Sequence, residues 1–180
     1  LAVLDVCGAP AQTAAYVNPN QKVLILGAGG KSGMLSMIQA RKKLGESGQL
    51  IALEYGAEAC KRIESFELAD AVIQMDATDT VGVYEKIKEL TDGRMADLTI
   101  NCVNVPQTEM SSILSTRDGG IIYFFSMATS FTAAALGAEG IGKDVTMIVG
   151  NGYVPGHAEC ALESIRSHQG VKDYFLGAYC

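Results

Sequence analysis

Short apolar runs alternate with longer amphipathic segments along most of this chain. Six of the runs are short and rich in branched residues, as strands buried on both faces of a sheet are. The predicted strands are Lys22 to Leu26, Leu50 to Leu53, Ala71 to Met75, Asp97 to Val103, Ile121 to Phe125 and Val145 to Val149.

The segments between these strands carry apolar residues at helical spacing. The pattern predicts a helix that follows the glycines ending at Gly30 and stops at Gly45. It predicts others over Ala57 to Phe66, Thr80 to Leu90 and about His157 to His168, with a lead-in helix within residues 1–20. Strands that alternate with helices imply right-handed crossovers and neighbouring parallel strands. The sequence therefore predicts an α/β fold, a doubly wound, mostly parallel six-stranded sheet in a single domain, residues 1–180.

A glycine-rich turn joins the first predicted strand to the first long helix. Glycines at this point permit a tight turn, and they let the backbone approach a pyrophosphate at the free N–H groups of the helix start. The predicted contacts of the anion are Gly27, Gly29, Gly30, Lys31, Ser32 and Gly33. Together with six strands, the turn predicts a Rossmann NAD(P)-binding fold.

The spacing in this turn departs from the G-x-G-x-x-G fingerprint. Ser32 stands where the third glycine belongs, and Gly33 comes one residue late. A P-loop would need a glycine where Ile25 stands, so that interpretation is poor. A methyltransferase, which also has a glycine-rich first turn, stays a minor alternative.

Two acidic residues follow the second and third predicted strands. Glu54 ends the second strand, where a carboxylate accepts hydrogen bonds from the adenosine ribose and repels a 2′-phosphate. Asp76 ends the third strand and would lie beside the adenine, with Ala77 as a pocket wall. These positions favour NAD over NADP. The alternatives are a solvated strand end for Glu54 and simple helix capping at Asp76.

The ends of the fourth and fifth strands face the other half of the predicted crevice. Asn104 and Ser126 are candidates for holding the nicotinamide and its ribose. Asn101 is equally suited to satisfying buried backbone, and Cys102 to a buried apolar role. His157 with Glu159 forms a possible acid–base pair, although a solvated helix start is the favoured interpretation.

Composition narrows the function further. The net charge of -6 argues against a nucleic-acid partner, and no apolar run approaches the ~20 residues that cross a bilayer. Five scattered cysteines without a C-x-x-C pair predict reduced thiols in the cytoplasm, and with two histidines they predict no metal site. The chain starts at Leu1 in an apolar segment, from which we expect a missing N-terminal portion.

Four longer strings are similar to a known family. Gly27 to Met34, Asn101 to Pro106, Phe124 to Thr132, and Gly150 to Tyr153 with Gly156 to Glu159 resemble the medium-chain dehydrogenase/reductase superfamily. Within it they resemble the amine dehydrogenases of anaerobic lysine fermentation, over almost the whole chain. The resemblance implies cofactor contacts at five positions of the turn and at the acid that ends the second strand (Gly27, Gly29, Gly30, Ser32, Gly33 and Glu54). Further along the chain it implies contacts at Asn104, Ser126 and Met127.

The resemblance implies the activity and the partners. It implies NAD-dependent oxidative deamination of 3,5-diaminohexanoate, a small amino-acid-derived substrate, to 5-amino-3-oxohexanoate and ammonia. It also implies a GroES-like catalytic domain outside this chain, and a homo-oligomer (dimer or tetramer) that pairs through the last strand. No catalytic residue is carried over, although Glu109 is a candidate partner of a substrate ammonium group. A zinc-dependent alcohol or amino-alcohol dehydrogenase and a non-enzymatic NAD sensor stay open as alternatives.

Overall fold

The computed structural model describes residues 1–150 and 153–179. Asn151 and Gly152, which belong to one of the sequence strings above, and Cys180 lie outside the described residues. Within the described part, no helix is long and apolar enough to cross a membrane.

Six parallel strands form one sheet. The strands are β1 (Lys22–Leu26), β2 (Gln49–Glu54), β3 (Ala71–Gln74), β4 (Ala96–Asn101), β5 (Thr116–Phe124) and β6 (Val145–Val149). Their order is β3-β2-β1-β4-β5-β6, and every neighbouring pair is parallel. The predicted fold class is confirmed, with a sheet that is wholly rather than mostly parallel.

Helices connect the strands and cover the sheet. After a short 3₁₀ helix (Leu4–Val6) come α1 (Gly8–Tyr16), α2 (Lys31–Leu44), α3 (Ala57–Ser65), α4 (Thr80–Leu90), α5 (Glu109–Ser115), α6 (Phe131–Gly140), α7 (His157–Ser167) and α8 (Gln169–Tyr179). The four long helices and the lead-in helix of the sequence prediction are all present, with ends shifted by a few residues.

The central strand β1 explains why its sequence is apolar at four consecutive positions. Val23 and Ile25 pack into the core that α1, α2, α3, α7 and α8 cover, whereas Leu24 and Leu26 pack into the core beneath α4. All four side chains are fully buried. A parallel strand with helices on both faces has no solvent side, so the alternation of polar and apolar residues disappears.

Three helices and part of one strand have no clear sequence signal. The small residues of α6 lack an amphipathic period, and Ser130 begins that helix by accepting a hydrogen bond from the Ala133 N–H at 3.3 Å. Helices α5 and α8 were likewise not predicted. Strand β5 begins at Thr116 rather than Ile121, because its polar first residues pair through backbone next to a register shift between Ala96 and Leu98.

Candidate dinucleotide site

The glycine turn follows β1 at the carboxyl edge of the sheet, between the first strands of its two halves. Gly27 has a φ of +74°, a conformation that side chains disfavour. A Cβ atom there would lie 3.0 Å from backbone atoms of both Cys102 and Val103, which follow β4. Only glycine therefore allows the turn to pass this close to the neighbouring strand.

Gly33 performs the packing role that the fingerprint gives to its third glycine. A Cβ atom on Gly33 would lie 2.3 Å from the carbonyl oxygen of Gly27 and 2.6 Å from the Cα atom of Ala28. Ser32, which occupies the fingerprint position, is partly exposed and lines a cleft instead. The extra residue in the turn thus moves the close contact between helix and turn one position along the chain.

The start of α2 is open to an anion. Gly30 is its exposed N-cap residue and, like all glycines, offers no side chain to cap the helix. The first N–H groups of a helix have no partner within it and carry a partial positive charge. This helix start can therefore donate several hydrogen bonds to one phosphate group.

The Glu54 carboxylate lies against the turn. Its Oε2 accepts a hydrogen bond from the Gly29 N–H at 2.8 Å, and its Oε1 accepts one from the Tyr55 N–H, also at 2.8 Å. A Cβ atom on Gly29 would lie 2.7 Å from Oε2. The carboxylate is half-buried, so it both orders the turn and presents negative charge at the end of β2.

Arg62 of α3 holds the same peptide segment from the other side, a contact that no sequence signal indicated. Its guanidinium donates from Nη2 to the Gly29 carbonyl oxygen at 3.2 Å and lies 4.1 Å from the centroid of the Tyr174 ring. Gly29 is thus fixed through both its N–H group and its carbonyl group, by Glu54 and Arg62.

Two clefts open on either side of the turn. The first, here called the Glu54 cleft, has a volume of about 540 Å³. It is lined by Gly27, Leu53, Glu54, Tyr55, Met75, Asp76, Ala77, Thr78, Val103, Val105 and Pro106. Its walls are mostly apolar, and the charged residues among its described lining are two carboxylates.

The second cleft, here called the Asn104 cleft, has a volume of about 660 Å³. It is lined by Asp5, Val6, Gly30, Lys31, Ser32, Cys102, Asn104, Phe125, Ser126, Met127 and Tyr179. The structure thus brings Asn104, Ser126 and Met127 together with the start of α2, as the parallel sheet predicts for residues after β4 and β5.

Asp76 lines the Glu54 cleft, and its contact with the adenine stays a prediction. Its Oδ1 accepts hydrogen bonds from the Thr78 N–H at 2.9 Å and from the Thr78 hydroxyl at 2.8 Å. These hydrogen bonds lower the pKa of the Asp76 carboxyl. Ala77 is buried beside it and lines the same cleft.

Lys31 does not extend freely toward the turn. Its Nζ lies 2.5 Å from Oδ2 of Asp5, in the 3₁₀ helix, and 5.7 Å from the centroid of the Tyr179 ring. The ammonium group of Lys31 lowers the pKa of the Asp5 carboxyl, mainly through their hydrogen bond. Asp5 and Tyr179 are cleft residues that the sequence analysis missed, because both come from the ends of the chain.

The ambiguous residues after β4 have structural roles. Asn101 is fully buried, donates from Nδ2 to the hydroxyls of Thr108 and Ser112 and accepts from the Val103 N–H at 3.0 Å. Burial raises the pKa of the Cys102 thiol to about 12, and the Ser36 hydroxyl opposes this only in part. Cys102 is therefore a neutral wall residue rather than a nucleophile.

The other candidate acids and bases lie away from the clefts. Glu109 is buried and accepts a hydrogen bond from the Ser130 N–H at 2.6 Å, which joins α5 to the start of α6. It lines neither cleft, so the expected contact with a substrate ammonium group is not supported. His157 lies at the start of α7, where its Nδ1 is 2.6 Å from the Val154 carbonyl oxygen. A position at a helix start is the interpretation that the sequence favours over an acid–base pair with Glu159. No group of three or more potential metal ligands occurs among the described residues.

Sequence relatives cover nearly the whole chain. No family model matches it. It is 51% identical over 179 residues to the L-erythro-3,5-diaminohexanoate dehydrogenase of Acetoanaerobium sticklandii, and 47% identical over 179 residues to the enzyme of that name from Fusobacterium nucleatum. Each alignment covers 99% of this chain and 52% of the relative. The chain thus spans about half the length of these curated relatives.

Solved structures share the fold at low identity. An alcohol dehydrogenase from Thermotoga maritima superposes with a TM-score of 0.74 at 20% identity, over 95% of this chain and 48% of that one. A mycobacterial quinone oxidoreductase superposes with a TM-score of 0.72 at 18% identity, over 92% of this chain and 51% of that one. The described architecture is thus the open α/β fold of these dehydrogenases, and this chain is a homologue of the L-erythro-3,5-diaminohexanoate dehydrogenases over about half of their length.

Proposed function

We propose that this chain is the NAD-binding domain, residues 1–180, of an enzyme that oxidatively deaminates L-erythro-3,5-diaminohexanoate to 5-amino-3-oxohexanoate and ammonia. The observation that carries the proposal is the 51% identity over 99% of the chain to an enzyme of that name. A GroES-like catalytic domain then belongs to the part of the protein outside this chain.

The site fits a dinucleotide. The open start of α2 suits the pyrophosphate, and the clefts on its two sides suit the two nucleoside halves. Gly27 and Gly29 let the turn lie against the end of β4 and against Glu54, Gly30 leaves the helix start uncovered, and Gly33 keeps that start close to the turn. Ser32 lies at the same helix start, where its hydroxyl can donate to a phosphate oxygen.

The charges of the Glu54 cleft favour NAD over NADP. Glu54 and Asp76 are both acidic, and the described lining of this cleft contains no lysine or arginine. A ribose hydroxyl can donate to Glu54, whereas a 2′-phosphate would meet a carboxylate with no cation among the described lining residues to offset it. The adenosine half of the cofactor accordingly occupies the Glu54 cleft, with Ala77 against the adenine.

The reaction belongs to the Asn104 cleft. NAD, when bound, supplies the hydride acceptor, and the substrate carbon must approach it to about 3–3.5 Å. Asn104 and Ser126 offer polar groups for the carboxamide and its ribose, and Met127, which is almost wholly exposed, can close over them. The substrate amine loses a proton and then a hydride, and water hydrolyses the resulting iminium to the ketone and ammonia.

The identity values favour this function over the alternatives. The alcohol dehydrogenases that share the fold are at most 20% identical to this chain, which supports the fold alone. The sensor hypothesis has no comparable support. The protein that contains this chain therefore acts on an amine. The free thiols of Cys7, Cys60, Cys102 and Cys160 support a place for it in the reducing cytoplasm.

A pairing surface accompanies the proposal. β6 is an edge strand of the sheet, so its outer backbone groups are free to pair with another strand. Val149 at its end is 49% exposed. Two copies that join their β6 strands would form a homodimer with a continuous sheet, which analytical ultracentrifugation of the full-length protein would detect.

The test combines activity with cofactor titration on the full-length protein. We expect formation of NADH, followed by absorbance, with L-erythro-3,5-diaminohexanoate, and calorimetric binding of NAD at least about tenfold tighter than that of NADP. Gly29→Val should abolish binding, because its side chain would overlap the Glu54 carboxylate. A protein that binds NADP more tightly, or that oxidises an alcohol but not the diamino acid, would contradict the proposal.

A further inference from the structure

The Asn104 cleft contains one carboxylate and one ammonium group among its described lining residues, Asp5 and Lys31. They form an ion pair, with Nζ of Lys31 at 2.5 Å from Oδ2 of Asp5. The Asp5 side chain is 65% exposed and the Lys31 side chain 30% exposed. Opposite charges thus face the space that the proposed function assigns to the substrate.

We propose that Asp5 binds the non-reacting ammonium group of the substrate, and that Lys31 is paired with the Asp5 carboxylate only until the cofactor binds. The inference rests on the proposed function, since it assigns the 5-ammonium group of the diamino acid to Asp5. The 3-amino group must become neutral before it loses hydride, whereas the 5-ammonium group keeps its charge and needs an acidic partner.

The ion pair itself shows that the Asp5 carboxylate can accept a hydrogen bond from an alkylammonium group. The end of the Lys31 side chain is a primary alkylammonium group, as is the substituent at C5 of the substrate. Among the described residues, Lys31 is the hydrogen-bond donor to Asp5, and it approaches one of the two carboxylate oxygens. Glu109, the acid that the sequence suggested for this role, is buried elsewhere, whereas Asp5 faces the cleft.

The position of Lys31 allows an exchange of partners. Lys31 is the first residue of α2, at the uncapped helix start proposed for the pyrophosphate. A bound pyrophosphate offers its ammonium group a stronger anion than one carboxylate. Once Lys31 turns to the phosphate, Asp5 is free for the substrate and no charge is left unpaired. The exchange predicts that cofactor binds before substrate.

The decisive experiment compares two substrates in the full-length enzyme and in Asp5→Asn. The substrates are 3,5-diaminohexanoate and 3-aminohexanoate, which lacks only the 5-amino group, and the measurement is kcat/KM, or the inhibition constant where turnover is too slow. For the diamino acid we expect a loss of roughly 10- to 100-fold, the usual effect of a charge-assisted hydrogen bond. For 3-aminohexanoate we expect a change of less than about threefold, because it has no group for Asp5 to bind.

Glu163→Gln is the matched control. Glu163 also pairs with a lysine, Lys42 at 2.6 Å, and its side chain is 63% exposed, but it lies on α7 and lines neither cleft. Both substrates should keep their parent values in this variant. Equal losses on both substrates in Asp5→Asn would overturn the proposal for Asp5. A metal bound by the parent enzyme but lost from that variant would also overturn it, because Asp5 would then be a metal ligand. A parent enzyme inactive toward both amines would instead overturn the proposed function.

Lys31→Met tests the exchange. Without its competitor, Asp5 should bind the diamino acid several-fold more tightly in the cofactor-free protein, as measured by calorimetry, whereas NAD should bind more weakly. Weaker binding of the diamino acid to cofactor-free Lys31→Met would show that Lys31 holds Asp5 in place rather than masking it, and would refute the exchange.

Discussion

The Glu54 cleft and the Asn104 cleft flank the same glycine turn but differ in charge. The Glu54 cleft has two carboxylates and mostly apolar walls; Asp76 is held by Thr78 in its own loop, and Glu54 accepts a hydrogen bond from the Gly29 N–H. The Asn104 cleft has both signs of charge, and its ion pair joins residues 26 positions apart. One cleft thus suits a neutral nucleoside, and the other suits a ligand with charges of both signs.

The largest predicted effect is that of Gly33→Ala, which disturbs the turn between the two clefts. In Gly33→Ala the new methyl group would lie 2.3 Å from the Gly27 carbonyl oxygen, and backbone cannot move aside as a flexible side chain can. We expect the free energy of unfolding to fall by about 1–3 kcal/mol or more and NAD binding to be lost. Urea unfolding followed by circular dichroism and NAD calorimetry measure the two effects.

Gly177→Ala is the control for that change. Gly177 lies in α8, and apart from the backbone of that helix no described atom lies within 4 Å of an added Cβ, so alanine there should stabilise the protein by about 0.5–1 kcal/mol. Wild-type stability and NAD affinity in Gly33→Ala would mean that the turn and α2 are further apart than the structure shows.

A smaller effect distinguishes the two carboxylates of the Glu54 cleft. Glu54→Ala removes a ribose acceptor and the carboxylate that orders Gly29, so NAD affinity should fall roughly 10- to 100-fold while the preference over NADP narrows. Asp76→Asn should change NAD affinity by less than about threefold, since Asp76 is exposed and bonded within its own turn. Calorimetry with both cofactors distinguishes the two acids.

Glu64→Ala provides the matched surface change for Glu54, because Glu64 is exposed on α3 and lines neither cleft. It should leave both cofactor affinities unchanged. An equal effect of the Glu54 and Glu64 variants would mean that general charge, rather than a contact at the end of β2, sets the cofactor preference.

The prediction with the smallest consequence for cofactor binding concerns the thiol in the wall of the Asn104 cleft. With a pKa of about 12, Cys102 is roughly 0.01% thiolate at pH 8. Iodoacetamide should therefore alkylate it at least about 100-fold more slowly in the native protein than after unfolding in urea, as mass spectrometry would show. Rapid alkylation of native Cys102 at pH 8 would show an accessible thiolate in the cleft.

The sequence by itself predicted the sheet and the turn because their signals are local. Four consecutive buried residues of β1, the glycines that follow it and the carboxylate at the end of β2 lie within one βαβ unit. It also predicted that Asn104 and Ser126 would share one side of the crevice, since parallel strands bring their carboxyl ends to one edge.

Only the tertiary structure decided which residues complete the clefts and which do not. It gave the packing role to Gly33, buried Glu109 under α6, and brought Asp5 from the 3₁₀ helix and Tyr179 from α8 into the Asn104 cleft. The physical reason is distance along the chain: a hydrophobic period or a glycine motif reports the environment of its own segment. The contact between Asp5 and Lys31 exists only because the ends of the chain pack beside the start of α2.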